Sequence, residues 1–185
     1  AAVALRGLDE LRARPAVTAD GVRIRLEANL EMAEEVGRVR DAGAEGIGLY
    51  RSEFLLDAHP EAASESAQVE TYRALLEAMR PMPVTIRTFD TGEDRRANPR
   101  TSAHRQRFGL RGIRAALQND ERFRIQIRAL LSAAPAGVLR ILLPFVTTSD
   151  ELRLARSLIA DIGRDVPGSG HVPVGAMIEV PAAAL

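Results

Sequence analysis

Three charged side chains stand at the ends of apolar segments that have the composition of β-strands. Arg51 ends such a segment in GAEGIGLYRSEF, Arg87 ends one in VTIRTFDTGED, and Glu179 lies at the tip of one in VGAMIEVPAA. Because the carboxyl ends of parallel strands meet on one face of an α/β domain, these side chains are expected to converge there. Two arginines suit a phosphate or carboxylate, and a glutamate suits a cation. The pattern favours a site for an anionic, metal-bound substrate.

The same residues also fit a structural interpretation. Arg51 could pair with Glu53, and Arg87 with Asp90, as ion pairs that only stabilise the strand ends, and position alone favours neither interpretation. Glu179 by itself is an incomplete magnesium site, because Mg²⁺ takes one or two carboxylates together with waters and substrate oxygens.

A long polar segment from Asp90 to about Phe108 follows the third predicted strand. Loops of this length are usually functional or disordered, and this one lies on the side where α/β folds bind ligands. Two of its acids, Asp90 and Asp94, are predicted to be solvated rather than to face a substrate. Arg111, near the start of the helix that follows, could reach a ligand, although a surface arginine on that helix is an equally simple interpretation.

The composition excludes several classes of function. The chain has 185 residues, and 25 arginines, with no lysine, balance 25 acidic residues. Zero net charge provides no field that would gather nucleic acid or an anionic membrane, so neither partner is expected. The absence of cysteine excludes disulfides and thiolate chemistry within the chain, and His59, His104 and His171 lack the spacing of a metal site. No apolar stretch approaches the ~18 residues of a membrane span, which predicts a soluble, cytoplasmic protein.

Apolar runs alternate with segments of helical periodicity, which is typical of a parallel α/β fold. The predicted strands are Val22–Leu30, Gly46–Arg51, Val84–Phe89, Val138–Val146 and Val172–Val180. The apolar spacing predicts four helices between them, around residues 32–39, 69–79, 123–131 and 152–162. Residues 1–20 resemble the tail of a helix and a turn, and could be a linker from a preceding domain. A doubly wound sheet and half of a (β/α)8 barrel both fit this pattern, since a complete barrel usually needs ~250 residues.

Local signals mark where several of these helices begin and end. Thr148 and Glu151 have the spacing of a capping box, and Asn119 or Asp120 could cap the helix before it. Gly43 and Gly163 suit C-terminal caps, and Pro81 is expected to stop the second helix. The expected N-terminal caps are thus Thr148 and either Asn119 or Asp120, and the expected C-terminal caps are Gly43 and Gly163.

At these motifs the chain resembles the Enzyme I family, the phosphoenolpyruvate (PEP)-protein phosphotransferases of the bacterial sugar phosphotransferase system. It is more loosely similar to pyruvate phosphate dikinase and PEP synthase. The matching segments, in order, are Ala28-Asn29-Leu30, GAEGIGLYRSEF, VTIRTFDTGED, Asn98-Pro99 with FGLRGIR, LRILLPFV and MIEVPAAA. The resemblance implies a partial (β/α)8 TIM barrel over residues 21–185, with about the first five strands and four helical connections of a PEP-binding domain.

The resemblance also implies roles for individual residues. Arg51 and Arg87 would bind the phosphate of PEP, Arg111 would be a further substrate contact, and Glu179 would be one of two Mg²⁺ ligands. The acceptor histidine of the family lies in a separate N-terminal domain, and its proton-donating cysteine lies late in the barrel. Neither is in these residues, so the 185 residues alone are expected to be inactive. The implied partners are the phosphohistidine domain, the phosphocarrier protein and a second copy in a homodimer.

Some residues depart from the family pattern. Glu93 stands where a second glycine is usual, Arg95 stands where lysine is usual, and Arg100 to Arg107 are an additional stretch. Two alternatives therefore remain beside the phosphotransferase. One is a half-barrel binding or regulatory module without catalysis, and the other is a different PEP or pyruvate enzyme, such as PEP synthase or pyruvate phosphate dikinase.

Overall fold

A parallel β-sheet is the centre of the computed structural model, which describes residues 11–12, 14–58, 64–90, 111–118 and 120–185. Within these residues the sheet has five strands. A separate two-stranded antiparallel ribbon precedes them in the sequence. The ribbon consists of β1 (Ala16–Val17) and β2 (Arg23–Ile24). The sheet consists of β3 (Ala28–Leu30), β4 (Ile47–Arg51), β5 (Pro83–Arg87), β6 (Val138–Leu143) and β7 (Val174–Ala176).

Helices connect the strands. Short 3-10 turns, Ala33–Glu35 and Ala134–Ala136, accompany two of them. The helices are α1 (Val36–Asp41), α2 (Glu53–Ala58), α3 (Glu65–Met79), α4 (Ile113–Gln118), α5 (Asp120–Ala133), α6 (Ser149–Arg164) and α7 (Pro181–Ala184). The four predicted helices correspond to α1, α3, α5 and α6. They could be predicted because apolar residues recur every three to four positions in each of them.

The strand order separates the two fold classes that periodicity left open. The strands lie in the order β3-β4-β5-β6-β7, all parallel, so each new strand joins the same edge of the growing sheet. A doubly wound sheet would instead reverse direction at a switch point. A sequential parallel order is consistent with a partial (β/α)8 barrel, and it confirms the α/β fold expected from the sequence.

The core lies between one face of the sheet and the helices. Along β6, Leu139, Ile141 and Leu143 are buried, while the residues between them are more exposed. The buried side chains join a cluster that includes Leu76 of α3 and Ile127 of α5. Each such side chain contributes about 1.5–3 kcal/mol when fully buried. This packing anchors the strands, so that their carboxyl ends present side chains from fixed positions.

The predicted strand Val22–Leu30 is wrong as a single element. Its first part pairs with β1 as a hairpin, and only Ala28–Leu30 joins the sheet. The hairpin turn is closed by the Gly21 N–H, which donates to the Thr18 carbonyl at 3.0 Å, and Gly21 has a φ of +89°. Apolar residues in this segment, such as Ile24, point to the surface rather than to the core. Alternating apolar residues do not distinguish a surface hairpin from a core strand.

The expectation for residues 1–20 is corrected in part by the same hairpin. Ala16–Val17 form β1, whereas the sequence suggested a helix tail and a turn. Residues 1–10 lie outside the described residues. The remaining strand ends differ from the predicted ones by a few residues, most of all at β7, where Val172–Val180 shortens to Val174–Ala176.

The predicted capping box is confirmed. The Thr148 hydroxyl accepts from the Glu151 N–H at 3.2 Å, and the Glu151 carboxylate accepts from the Thr148 N–H at 3.1 Å. These bonds satisfy N–H groups that have no partner inside α6. The expectation that Asn119 or Asp120 caps α5 stays a prediction, because Asn119 lies outside the described residues and Asp120 is the first residue of α5 itself.

One of the two expected glycine caps is confirmed. Gly43 has a φ of +79° and donates to the Arg40 carbonyl at 3.0 Å, while the next N–H donates to the Val39 carbonyl at 3.2 Å. This is the Schellman arrangement that ends a helix. The expectation for Gly163 is wrong, because α6 continues to Arg164. Pro81 does follow the end of α3 directly after its cap residue, as expected.

Candidate active site

Arg51 and Arg87 are neighbours at the carboxyl ends of β4 and β5. They occupy paired register positions, which places their backbones about 4.8 Å apart across the sheet. Burial lowers the pKa of Arg87, the positive charges of Arg51 and Arg111 act in the same direction, and Asp90 and Glu179 oppose them. The four side chains that the sequence singled out, Arg51, Arg87, Arg111 and Glu179, therefore lie within electrostatic reach of one another.

Both strand-end arginines bind carboxylates, but not the ones expected from the sequence. Arg51 Nη1 donates to Glu31 Oε1 at 2.8 Å, and Arg87 Nη2 donates to Glu53 Oε1. The suggested pairs of Arg51 with Glu53 and of Arg87 with Asp90 are therefore wrong. Each arginine pairs with a glutamate that follows the neighbouring strand. Glu31 follows β3 and reaches Arg51 of β4, and Glu53 follows β4 and reaches Arg87 of β5.

The Arg87–Glu53 pair is almost completely buried, and not all of its polar atoms form hydrogen bonds. Each side chain is 11% exposed. In the described part of the chain, Glu53 Oε2 and Arg87 Nε are buried atoms without a hydrogen-bond partner, and Arg87 Nη1 lies 3.9 Å from Met177 Sδ. Buried polar atoms in folded proteins are normally hydrogen-bonded. Glu53 Oε2 and Arg87 Nε therefore keep hydrogen-bonding capacity that the described residues do not use.

Arg111 is held by Asp90 and Phe145. Its Nε and Nη2 donate to the two oxygens of Asp90, each at 3.0 Å, and its guanidinium carbon lies 4.4 Å from the centre of the Phe145 ring. The hydrogen bond to Asp90 raises the pKa of Arg111, against the opposing effect of burial. The expectation that Asp90 is solvated is wrong, since its side chain is only 7% exposed. Asp94 and the rest of residues 91–110 lie outside the described residues.

Glu179 follows β7 and faces the same corner. Its Oε1 accepts from the Phe145 N–H at 2.8 Å. Phe145 has a φ of +54°, which is uncommon for a residue with a side chain and marks a constrained backbone. Its ring contacts Arg111 while its N–H binds Glu179, so Phe145 connects a candidate substrate contact to the candidate metal ligand. Sequence reasoning missed this residue, although it directly follows the Pro144 that ends the β6 segment.

Gly112 makes the approach of Phe145 possible. A side chain at Gly112 would place its Cβ 2.7 Å from both Phe145 Cβ and the Pro144 carbonyl oxygen, which is too close for any residue but glycine. The next residue, Ile113, donates its N–H to that same carbonyl at 3.0 Å. The start of α4 is thus docked on the end of β6, and this contact positions Arg111.

The donor set fits Mg²⁺ only as part of a larger site. Among the described residues, no group of three or more histidines, cysteines, aspartates or glutamates could hold a metal ion. Both Asp90 oxygens bind Arg111, whereas Glu179, the carboxylate that the sequence singled out, binds only one backbone N–H among the bonds described here. Magnesium accepts one or two protein carboxylates and completes its shell with water and substrate oxygens, so a single glutamate is compatible with it.

The remaining candidates are not part of this cluster. His171 lies in an exposed turn after α6, as expected for a surface histidine, and His59 and His104 lie outside the described residues. No helix in the described ranges has both the length and the apolar character needed to cross a membrane.

Comparison with known proteins identifies the family of this chain. A family model described as PEP-utilising enzyme, PEP-binding domain, matches residues 6–185. The phosphoenolpyruvate-protein phosphotransferase of Cupriavidus necator is 44% identical over 96% of this chain and 32% of its own length. The enzyme of the same name from Enterococcus faecalis is 38% identical, with the same coverage. The multiphosphoryl transfer protein of Rhodobacter capsulatus is 38% identical over 100% of this chain and 23% of its own length.

The chain spans about a third of the phosphoenolpyruvate-protein phosphotransferases that it matches. Identity of this level over nearly the whole chain confirms the resemblance that the strand-end motifs indicated. Arg51, Arg87 and Glu179 lie within the matched range. The chain therefore belongs to the family of PEP-utilising enzymes, and the part of that family that it matches is the PEP-binding domain.

Proposed function

We propose that these residues are the first half of the PEP-binding barrel of a PEP-dependent protein phosphotransferase. The parent enzyme binds Mg-PEP, transfers the phosphoryl group to a histidine of a separate domain and releases pyruvate. The observation that carries the proposal is the Arg51–Arg87 register pair, with unused donor capacity on Arg87. The names of relatives at 38–44% identity support the same reaction.

Arg51 and Arg87 bind the phosphate of PEP in this proposal. A guanidinium presents N–H groups in a planar fork that matches two phosphate oxygens, and its charge persists at every physiological pH. The ion pair with Glu53 already orders the Arg87 side chain, so less conformational entropy is lost when the ligand binds. Phosphoryl transfer needs positioning and charge neutralisation more than covalent help from the protein. Two fixed cations at adjacent strand ends provide both.

Arg111 and Glu179 complete the substrate side. Asp90 and Phe145 hold Arg111 toward the same corner, where it binds a second anionic part of the substrate. Glu179 would hold Mg²⁺ with its carboxylate, while its hydrogen bond to the Phe145 N–H fixes its direction. The ion, when bound, neutralises charge on the phosphate oxygens.

The remainder of the enzyme lies beyond these residues in the proposal. The later strands close the barrel and supply the second metal ligand and the cysteine that protonates the enolate. Residues 1–20 link to an N-terminal phosphohistidine domain, which passes the phosphoryl group to the phosphocarrier protein in sugar uptake. The enzyme is a cytoplasmic homodimer. PEP synthase or pyruvate phosphate dikinase would share this half of the barrel, and the acceptor domain distinguishes them.

The test measures PEP binding by calorimetry with the complete gene product that contains these residues. Arg51→Ala and Arg87→Ala are each expected to weaken binding at least about tenfold, because each removes a charge-assisted contact of about 1.5–3 kcal/mol. Arg164→Ala is the matched control, since this arginine forms an ion pair with Asp161 on the outer helix α6. Equal binding by the wild type and both strand-end variants would remove the proposed phosphate site.

A further inference from the structure

Gln126 is a buried polar residue on α5 that the proposed chemistry does not use. Its side chain is 0% exposed, in a helix whose other buried residues are mostly apolar. It forms three hydrogen bonds, all to residues outside α5. An amide in such a place is costly unless every group is satisfied, and an apolar side chain of the same size would pack without that requirement. The glutamine therefore indicates a specific structural task.

The backbone determines the orientation of the Gln126 amide. The Phe89 N–H donates to Oε1 at 2.9 Å, and a peptide N–H can only donate, so the carbonyl end of the amide faces Phe89. Nε2 therefore donates to the Ser52 hydroxyl at 2.9 Å and to the Tyr72 hydroxyl at 3.1 Å. Burial raises the pKa of Tyr72, so this hydroxyl keeps its proton. Each hydrogen bond of the amide thus has a fixed direction.

Ser52 and Phe89 connect this network to both strand-end arginines. Ser52 directly follows Arg51, and its hydroxyl donates to the carbonyl oxygen of Arg87 at 2.6 Å. Phe89 lies two residues after Arg87. Gln126 therefore holds the backbone at the ends of both β4 and β5. Its position in the centre of a packed helix makes it a rigid reference for the two ends.

We infer that Gln126 is a positioning residue: it fixes the two strand ends so that the guanidinium groups of Arg51 and Arg87 stand at the spacing that a single phosphate needs. The inference rests on the proposed function, since it names what maintains the phosphate site. Gln126 itself does not touch the ligand. A displacement of about 1 Å at a transferring group lowers rates by up to about 100-fold, so this support has a measurable effect.

The test is Gln126→Met in the complete gene product. Methionine keeps the side-chain volume and removes all three hydrogen bonds. We expect KM for PEP to rise about tenfold and kcat to fall, because misplaced arginines weaken contacts to the bound substrate and to the transition state. Leu130→Met is the matched control, as Leu130 is equally buried one helical turn along α5. It is expected to keep the wild-type KM.

A purely structural role would give a different result. Reduced packing lowers the fraction of folded enzyme, which decreases the apparent kcat and leaves KM unchanged. A folded Gln126→Met enzyme with the wild-type KM would therefore overturn the inference. If this variant does not fold, Ser52→Ala decides: it removes only the hydroxyl between Gln126 and the Arg87 carbonyl, and an unchanged KM there would also overturn the inference.

The arginine variants separate this inference from the proposed function. If Arg51→Ala and Arg87→Ala lose PEP binding while Gln126→Met and Ser52→Ala keep the wild-type KM, the positioning role alone fails. If the arginine variants bind PEP like the wild type, the proposed function fails as well.

Discussion

Each candidate substrate-binding arginine already binds a carboxylate, and the three pairs differ in burial. The Arg51–Glu31 pair is exposed on both sides, at 39% and 50%, whereas the Arg87–Glu53 pair is nearly enclosed. Solvent and salt weaken an exposed pair, but a buried charge needs its partner. We therefore expect Glu31 to compete with the proposed phosphate ligand for Arg51, and Glu53 to hold Arg87 in place. Substitutions at these two glutamates should have opposite consequences.

Glu31→Gln is expected to strengthen PEP binding. It removes a competing negative charge beside Arg51, and because exposed pairs are worth about 0–1 kcal/mol, the gain is at most about fivefold in Kd. Calorimetry at low and high salt measures it, and the gain should shrink at high salt. Glu45→Gln is the control, since Glu45 pairs with Arg23 of the hairpin. Weaker PEP binding by Glu31→Gln would contradict the competing role.

Glu53→Gln is expected to destabilise the fold. Arg87 would remain buried without the carboxylate that it hydrogen-bonds, which costs roughly 3 kcal/mol of unfolding free energy. Denaturant unfolding measures the loss. Glu65→Gln is the control, because Glu65 forms a more exposed pair with Arg128 and should cost less than about 1 kcal/mol. A loss at Glu53 as small as that of the control would show that the buried charge has another partner.

At the scale of elements, the buried parts of the fold were predictable and the partners of the site residues were not. The strands that became β4, β5 and β6 are rich in apolar residues, since they are covered on the helix side, and the sequence located each within three residues. The hairpin at Ala16–Ile24 was missed because its alternating pattern also fits a core strand. Glu31 and Gln126 reach their partners across neighbouring elements, which periodicity along one chain cannot reveal.

The start of α6 has a pH-dependent stability that depends on Glu151. Burial alone would raise the pKa of Glu151, but hydrogen bonds from Thr147 and Thr148 outweigh it and lower the pKa below the ordinary value of 4.5. The folded state therefore binds fewer protons, so this contribution is complete above that value and is lost as the pH falls through the lowered pKa. Glu151→Gln should cost about 1 kcal/mol at neutral pH and less in acid.

Denaturant unfolding of Glu151→Gln at neutral and acidic pH measures this difference. Asp161→Asn on the same helix is the control, because Asp161 forms only an exposed pair with Arg164. A free-energy loss for Glu151→Gln that is the same at both pH values would contradict the assignment.

At the scale of the whole molecule, the described sheet is one half of the proposed enclosure. Its outer strands are β3 and β7, and the helices pack on one face only of β6, where Leu139, Ile141 and Leu143 are buried. The other face carries the exposed Val138 and the half-buried Arg140. The Arg140 Nη1 donates to both oxygens of Glu27, at 3.1 and 3.2 Å. Further parallel strands would cover this face and both edges, which otherwise invite association.

The 185 residues alone are therefore expected to form no pyruvate from PEP. In the proposed function they supply two arginines for the phosphate but only one of two carboxylates for the metal, and the acceptor histidine and the proton donor of the proposed reaction lie elsewhere. A coupled assay for pyruvate tests this, first on the isolated chain and then after the remaining segments of the gene product are added as a separate polypeptide. Activity should appear only in the mixture, and Arg87→Ala should abolish it there. Pyruvate formation by the isolated chain would show that these residues contain a complete site.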